Sequence, residues 1–134
     1  GRHADAEQAR MVCELFDQVG TTVLVEETQM DAVTGLSGSG PAYVYTIIEA
    51  LSDGGVRVGL PRDVALKLAA QTVMGAARMV LESGQHLAVL RDQVTSPGGT
   101  TIAGLHALEA KGLRDALISA VQAATERSVE LGDD

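Results

Sequence analysis

A chain of 134 residues with 46% hydrophobic content and mean hydropathy +0.14 can bury a sizeable core as one domain, or as one domain plus a remnant of another. Its net charge of −8 and pI near 4.7 argue against nucleic acid as a partner, because no basic stripe exists to replace counterions along a phosphate backbone. Cys13 is the only cysteine, which excludes an intrachain disulfide and a cysteine-based zinc site and suits a reducing compartment. His3, His86 and His106 are too scattered to suggest a metal site. The longest uncharged run, residues 32–48, is interrupted by glycines and a proline, so no membrane span is expected and the protein is placed in the cytoplasm. The chain opens Gly1-Arg2-His3 without methionine, as the middle of a longer protein would, and a fragment is expected.

Residues 4–19 read as the first helix, with Met11, Leu15 and Val19 on one face, Val12 and Phe16 beside them, and Gly20 as the C′ residue. The β-branched stretch 21–25 reads as a short strand. One strand needs a neighbouring ladder, so it implies a sheet whose other strands lie in missing sequence or in another subunit.

From residue 28 onward every pattern is helical. Residues 31–41 form a Gly/Ser loop that runs into a helix, with Ser39 or Gly40 at the cap and Pro41 in the first turn. Val44, Ile47, Ile48 and Leu51 then line one face, and Gly54-Gly55 or Gly59 ends the element. Residues 61–83 give a helix whose polar positions Lys67, Gln71, Arg78 and Glu82 form one narrow seam, so it is nearly surrounded by apolar neighbours. A short helix over 86–94 follows, then one ending at Lys111-Gly112, and a last one over 113–131 with a stripe at Leu113, Ala116, Leu117, Ala120, Val121 and Ala124. So few residues cannot cover these helices within one small bundle, and an intimate oligomer with interlocking helices is inferred.

The stretch Ser96-Pro97-Gly98-Gly99-Thr100-Thr101 sits between two helical patterns and presents bare backbone N–H groups at a helix start. Pro97 stops the preceding helix, Gly98 and Gly99 allow close approach and positive φ, and Thr100 or Thr101 can serve as N-cap. The unsatisfied N–H groups and the positive end of the helix dipole favour a carboxylate or phosphate. An ordinary helix-to-helix loop is the bland alternative.

Residues 31–43, 53–61 and 92–102 together, in this order and spacing, resemble the three signature blocks of the pyrroline-5-carboxylate reductase family, and the last block is highly specific to it. The resemblance covers essentially the whole chain. It implies a mainly α, helical dimerisation domain over 28–134 that forms an interlocked dimer, with 1–27 as the last helix and strand of a truncated N-terminal Rossmann domain. It further implies hydride transfer from NADPH or NADH to the C=N bond of 1-pyrroline-5-carboxylate, giving L-proline. By resemblance, Ser96, Gly98, Gly99, Thr100 and Thr101 hold the substrate carboxylate, and Thr101 also hydrogen-bonds the ring nitrogen as the catalytic position. Thr34, Ser39 and Gly40 match the loop near the nicotinamide end of the cofactor, most of which is bound by the missing half. The partners implied are a second copy of the chain, with five dimers closing into a ring, and a small carboxylate substrate. The fragment alone is expected to be inactive.

Read without the resemblance, Gly35 to Gly40 has the wrong order and context for a dinucleotide fingerprint, and a plain helix-entry loop fits better. Tyr43 and Tyr45 suit helix packing, His86 and His106 suit surface or capping roles, and Met74 and Met79 suit core filling. Leu87 stands where the family commonly has proline, which alters local rigidity only. A stand-alone helical oligomerisation or small-carboxylate-binding module without catalysis is the alternative function. A dehydrogenase of hydroxy acids is disfavoured, because it needs a charged acid or base and no lysine or histidine sits beside the anion loop in sequence.

Overall fold

The computed structural model describes residues 5–132, so Ala4 of the first helix and the last two residues of the 28–134 domain lie outside the described residues. Helix α1 (Ala6–Phe16) begins at a reciprocal cap: Asp5 accepts from the Gln8 amide at 2.8 Å, and the Gln8 side chain accepts from the Asp5 amide at 3.2 Å. It stops short of the expected Val19, and Gly20 is not left-handed. The cause is Asp17, whose carboxylate accepts from the Thr22 amide at 2.8 Å and from the Thr22 hydroxyl, folding the chain back. Those bonds hold the Asp17 carboxyl below the ordinary aspartate range, the hydroxyl contributing most and the amide next.

The strand expected over 21–25 does not form among the described residues. The segment is extended but has no ladder partner, and Val23 and Leu24 stand exposed, as a lone strand must. The chain then enters a tight turn (Glu27–Gln29) and a single helical turn, α2 (Met30–Val33). A wide turn, Thr34–Gly38, carries an i→i+5 bond from the Ser39 amide to the Thr34 carbonyl at 2.9 Å and leads directly into α3 (Gly40–Arg57). The Gly/Ser loop expected over 31–41 is therefore a helical path. Its glycines all keep negative φ, so their role is close packing rather than backbone reversal.

Helix α3 runs through Gly54 and Gly55 and turns at Gly59, whose φ of +105° excludes a side chain without strain. Pro61 caps α4 (Arg62–Ser83), which ends at Gly84 with φ +64°, a left-handed C-terminus. The α3–α4 hairpin closes around Ser52, Ala65 and Ala69, all buried. A methyl on Gly55 would sit 3.0 Å from Ala65 Cβ, so glycine is what lets the two helices approach here. Arg62 reaches back to donate to the Ser52 hydroxyl at 3.2 Å while pairing with Asp53.

Helix α5 (Leu87–Gln93) is capped by His86, whose Nδ1 accepts from the Ala88 amide at 3.2 Å, the capping role read from the sequence. Helix α6 (Thr100–Ala110) follows, and Gly112 with φ +73° turns the chain into α7 (Leu113–Gly132), which packs back along residues 30–38. The architecture is mainly α, as expected.

The chain leaves most of its apolar residues uncovered. Among the described residues only Ala65 and Ala69 are buried hydrophobic residues, while Leu81 is 84% and Leu15 is 68% exposed. It presents 10887 Å² of accessible surface, whereas a compact monomer of this mass presents about 6,700 Å². The surplus of about 4,200 Å² includes apolar helix surface of the kind that obligate interfaces cover. Helix α4, expected to be nearly surrounded, is open on most of its circumference; Leu66, Leu68, Met74 and Met79 are half exposed. It is also long and apolar enough, by length and composition, to cross a membrane. Its charged residues Arg62, Asp63, Lys67, Arg78 and Glu82 make a packed helix surface the better reading.

Candidate functional site

The Pro-Gly-Gly segment takes a shape that its sequence dictates. Thr95 closes α5, its hydroxyl donating to the Arg91 carbonyl at 2.7 Å and its amide to the Asp92 carbonyl at 3.0 Å. Ser96 to Gly99 then forms a tight turn in which the Gly99 amide donates to the Ser96 carbonyl at 3.0 Å. Pro97 at its second position and Gly98 with φ +67° at its third match the demands of a type II turn. Gly99 has an ordinary φ of −78°, and its need for glycine is steric: a methyl there would run into the Ser96 hydroxyl and lie 3.1 Å from the Ser96 carbonyl.

Gly99, not Thr100 or Thr101, is the N-cap of α6, and no side chain hydrogen-bonds into the first turn. A threonine cap would have occupied one of the free N–H groups, whereas a glycine cap leaves the amides of Thr100, Thr101 and Ile102 for a ligand. Elsewhere threonine hydroxyls fold back onto the carbonyl four residues earlier, as at Thr34, Thr46, Thr72 and Thr125. Thr100 and Thr101 open their helix, and the Ser96 hydroxyl lies close to Gly99 in the turn before them. Thr101 is half-buried and Thr100 exposed. The loop from Thr95 to Thr101 holds no charged side chain, so the field at the start of α6 comes from backbone dipoles.

An open groove of about 660 Å³ runs from this loop along α5 and α6, lined by Arg91, Thr95, Gly98, Gly99, Ile102 and His106 among others. His106, read from the sequence as a surface or capping histidine, thus shares the groove. It lies on α6 about 8 Å of helix rise beyond Thr101, away from the free amides.

Thr34, Ser39 and Gly40 occupy the wide turn before α3. Thr34 donates its hydroxyl to the Met30 carbonyl at 3.0 Å, and Ser39 stands at the head of α3 without a side-chain cap. Nothing lining the groove beside Gly98 and Gly99 comes from this turn, so one protomer does not join the two groups into a single cavity.

Sequence reasoning missed how this turn is held. Gly35 is buried against α7, where a methyl would meet the Thr125 hydroxyl and lie 2.8 Å from the Val121 carbonyl. The Tyr43 hydroxyl is 3.3 Å from the Gly35 carbonyl and 3.2 Å from the Ala120 carbonyl, sharing its proton between them. Ser128 donates to Asp31 at 2.7 Å. Nothing local in the sequence signals these contacts, because their partners on α7 lie far along the chain.

Comparison with known proteins places this geometry. A family model described as pyrroline-5-carboxylate reductase dimerisation matches residues 27–131. The chain is 56% identical over 132 residues to a pyrroline-5-carboxylate reductase of Methanosarcina acetivorans, covering 98% of the chain and 49% of that relative. It is 57% identical to one of Arabidopsis thaliana, covering 98% of the chain and 48% of the relative. A solved pyrroline-5-carboxylate reductase from Coxiella burnetii superposes with a TM-score of 0.92 at 41% identity, over 98% of this chain and 49% of that one. One from Plasmodium falciparum, described with NADP bound, gives 0.89 at 38% identity, over 98% and 53%. The chain spans about half the length of the curated relatives it matches.

Proposed function

The chain belongs to the pyrroline-5-carboxylate reductase dimerisation family, and on that premise we propose that it supplies the self-association surface and the substrate-carboxylate loop of a proline-forming reductase. The observation that carries this reading is the α6 N-terminus: three free amides behind a glycine cap, beside a turn at Gly98 and Gly99 that admits close approach. That is a receptor for a small anion, and 1-pyrroline-5-carboxylate is a small ring carboxylate.

In this reading the carboxylate sits on the amides of Thr100, Thr101 and Ile102, with the Ser96 and Thr100 hydroxyls beside it. The Thr101 hydroxyl donates to the ring nitrogen and so fixes which face of the C=N bond is presented. A threonine hydroxyl is too weak an acid to protonate that nitrogen unaided, so its role is orientation. When bound, the reduced dinucleotide supplies the hydride. This chain's turn at Thr34, Ser39 and Gly40 fits the edge of such a cofactor and not its pyrophosphate. It lacks a glycine-rich strand-to-helix turn, and its Thr34 hydroxyl is already donated to Met30. Residues 1–27 are the last part of the domain that would hold the remainder, and 28–134 the dimerisation domain.

Because the loop and the turn share no cavity within one protomer, the complete site takes the turn from one copy and the loop from its partner. The surplus surface supports a dimer, and closure of five dimers into a ring belongs to the same proposal. The cytoplasm, with Cys13 kept as a thiol, is the compartment proposed.

Calorimetric titration with L-proline tests the reading, using the chain alone and the chain joined to a dinucleotide-binding half. Binding only in the joined form supports a shared reductase site. Tight binding to the chain alone would replace it with an independent carboxylate-binding module.

A further inference from the structure

We infer that α7 is the platform that positions the turn carrying Thr34, Ser39 and Gly40, and that Tyr43 is the positioning residue through which it does so. The assignment of that turn to the dinucleotide rests on the function proposed above; the mechanical coupling does not.

Three independent ties join the turn to α7. Gly35 lies against the α7 backbone with no room for a Cβ, which fixes the distance. Asp31 accepts from Ser128 at 2.7 Å, which fixes the register along α7. Tyr43 stands one turn inside α3 and offers its hydroxyl to the carbonyls of Gly35 and Ala120, which fixes the angle between the turn, α3 and α7. A wide turn has one residue more than a regular helical turn needs, so its conformation depends on outside support. Here the support comes from a helix about 90 residues later in the chain. The hydrogen-bond partners of the Tyr43 hydroxyl, Gly35 and Ala120, are not among the residues assigned to the substrate carboxylate.

The first test is amide hydrogen exchange on the full chain, comparing wild type with Tyr43→Phe and, as a second variant on the other element, Ser128→Ala. Each is expected to speed exchange at the Gly38, Ser39 and Ala42 amides by about tenfold, the effect of one lost hydrogen bond, with the α3–α4 hairpin unchanged. Unchanged exchange at the turn in both variants overturns the inference. The second test is steady-state kinetics of Tyr43→Phe in the form joined to a dinucleotide-binding half. A rise in KM for the dinucleotide without a rise in KM for the imine supports a positioning role, and a parallel rise in both reduces Tyr43 to a fold residue. Faster exchange in a protein without reductase activity keeps the coupling and removes the reductase reading. Activity with unshifted exchange does the reverse.

Discussion

Gly35 and Thr125 lie in contact across the turn and α7, at a spacing only glycine permits. Replacing Gly35 with alanine should therefore destabilise the chain by about 1–3 kcal/mol, the usual cost of forcing an extra methyl into a packed contact. Thr125→Ala should not rescue it, because the Val121 carbonyl and the Thr125 amide nitrogen, at 2.8 and 2.9 Å from the added methyl, are backbone. Urea unfolding of the single and double variants checks this; a full rescue would mean the hydroxyl alone sets the limit.

In the joined, active form, Thr101→Ala should lower turnover by about tenfold, the effect of one lost positioning hydrogen bond, while assembly is unchanged. Thr101→Ser should keep most of the activity. Equal kinetics for wild type and Thr101→Ala would take the residue out of the site.

Gly98, with φ +67°, should resist substitution for a backbone reason. Gly98→Ala costs about 1 kcal/mol for the left-handed conformation and distorts the turn beside α6. Its expected signature is weaker proline binding in the joined form with helix content unchanged, read by calorimetry and circular dichroism.

Ser52 is 1% exposed and takes a hydrogen bond from Arg62, whose ion pair with Asp53 is itself largely in water. The exposed pair contributes little. Arg62→Ala should nevertheless cost about 1–3 kcal/mol, because it leaves a buried hydroxyl without its partner. Adding Ser52→Ala should recover most of that loss, and thermal unfolding of the two variants distinguishes this from a pure charge effect.

Asp17 gives a pH dependence whose sign is fixed. Its carboxyl is held below its ordinary value by the Thr22 hydroxyl and amide, so the turn's stabilisation is present above the unfolded value of about 3.9 and is lost as pH falls through the folded value. The Thr22 amide resonance should move with that titration. In Asp17→Asn the acid-range movement should vanish.

The long helices were legible because their apolar spacing and their glycine and proline boundaries are local signals; Pro61, Gly84 and Gly112 stand where the sequence puts them. The Pro-Gly-Gly turn was legible for the same reason, since Pro97, Gly98 and Gly99 constrain the backbone through their own geometry. What was not legible depended on distant partners. Residues 31–41 look like a loop because three of them are glycine, and only the presence of α7 shows that Gly35 is there for contact. The expected strand failed in the other direction: residues 21–25 have strand-forming side chains but no ladder within the described residues. The cap of α6 was misplaced by one or two residues, since a threonine that favours an N-cap does not displace a glycine already fixed by the turn before it.

As proposed, the loop would recruit its ligand almost wholly with main-chain groups, and this governs how it can be studied. Side-chain scanning will understate it, because deleting Ser96 or Thr100 leaves every amide in place. Replacing the Thr100–Thr101 peptide link with an ester, which swaps one N–H for an oxygen, would remove a single donor and measure what the backbone contributes. The loop from Ser96 to Thr101 carries no ionisable side chain, but Arg91, Asp92, His106 and Glu109 share its groove, so any pH response of carboxylate binding should be sought first in those neighbours.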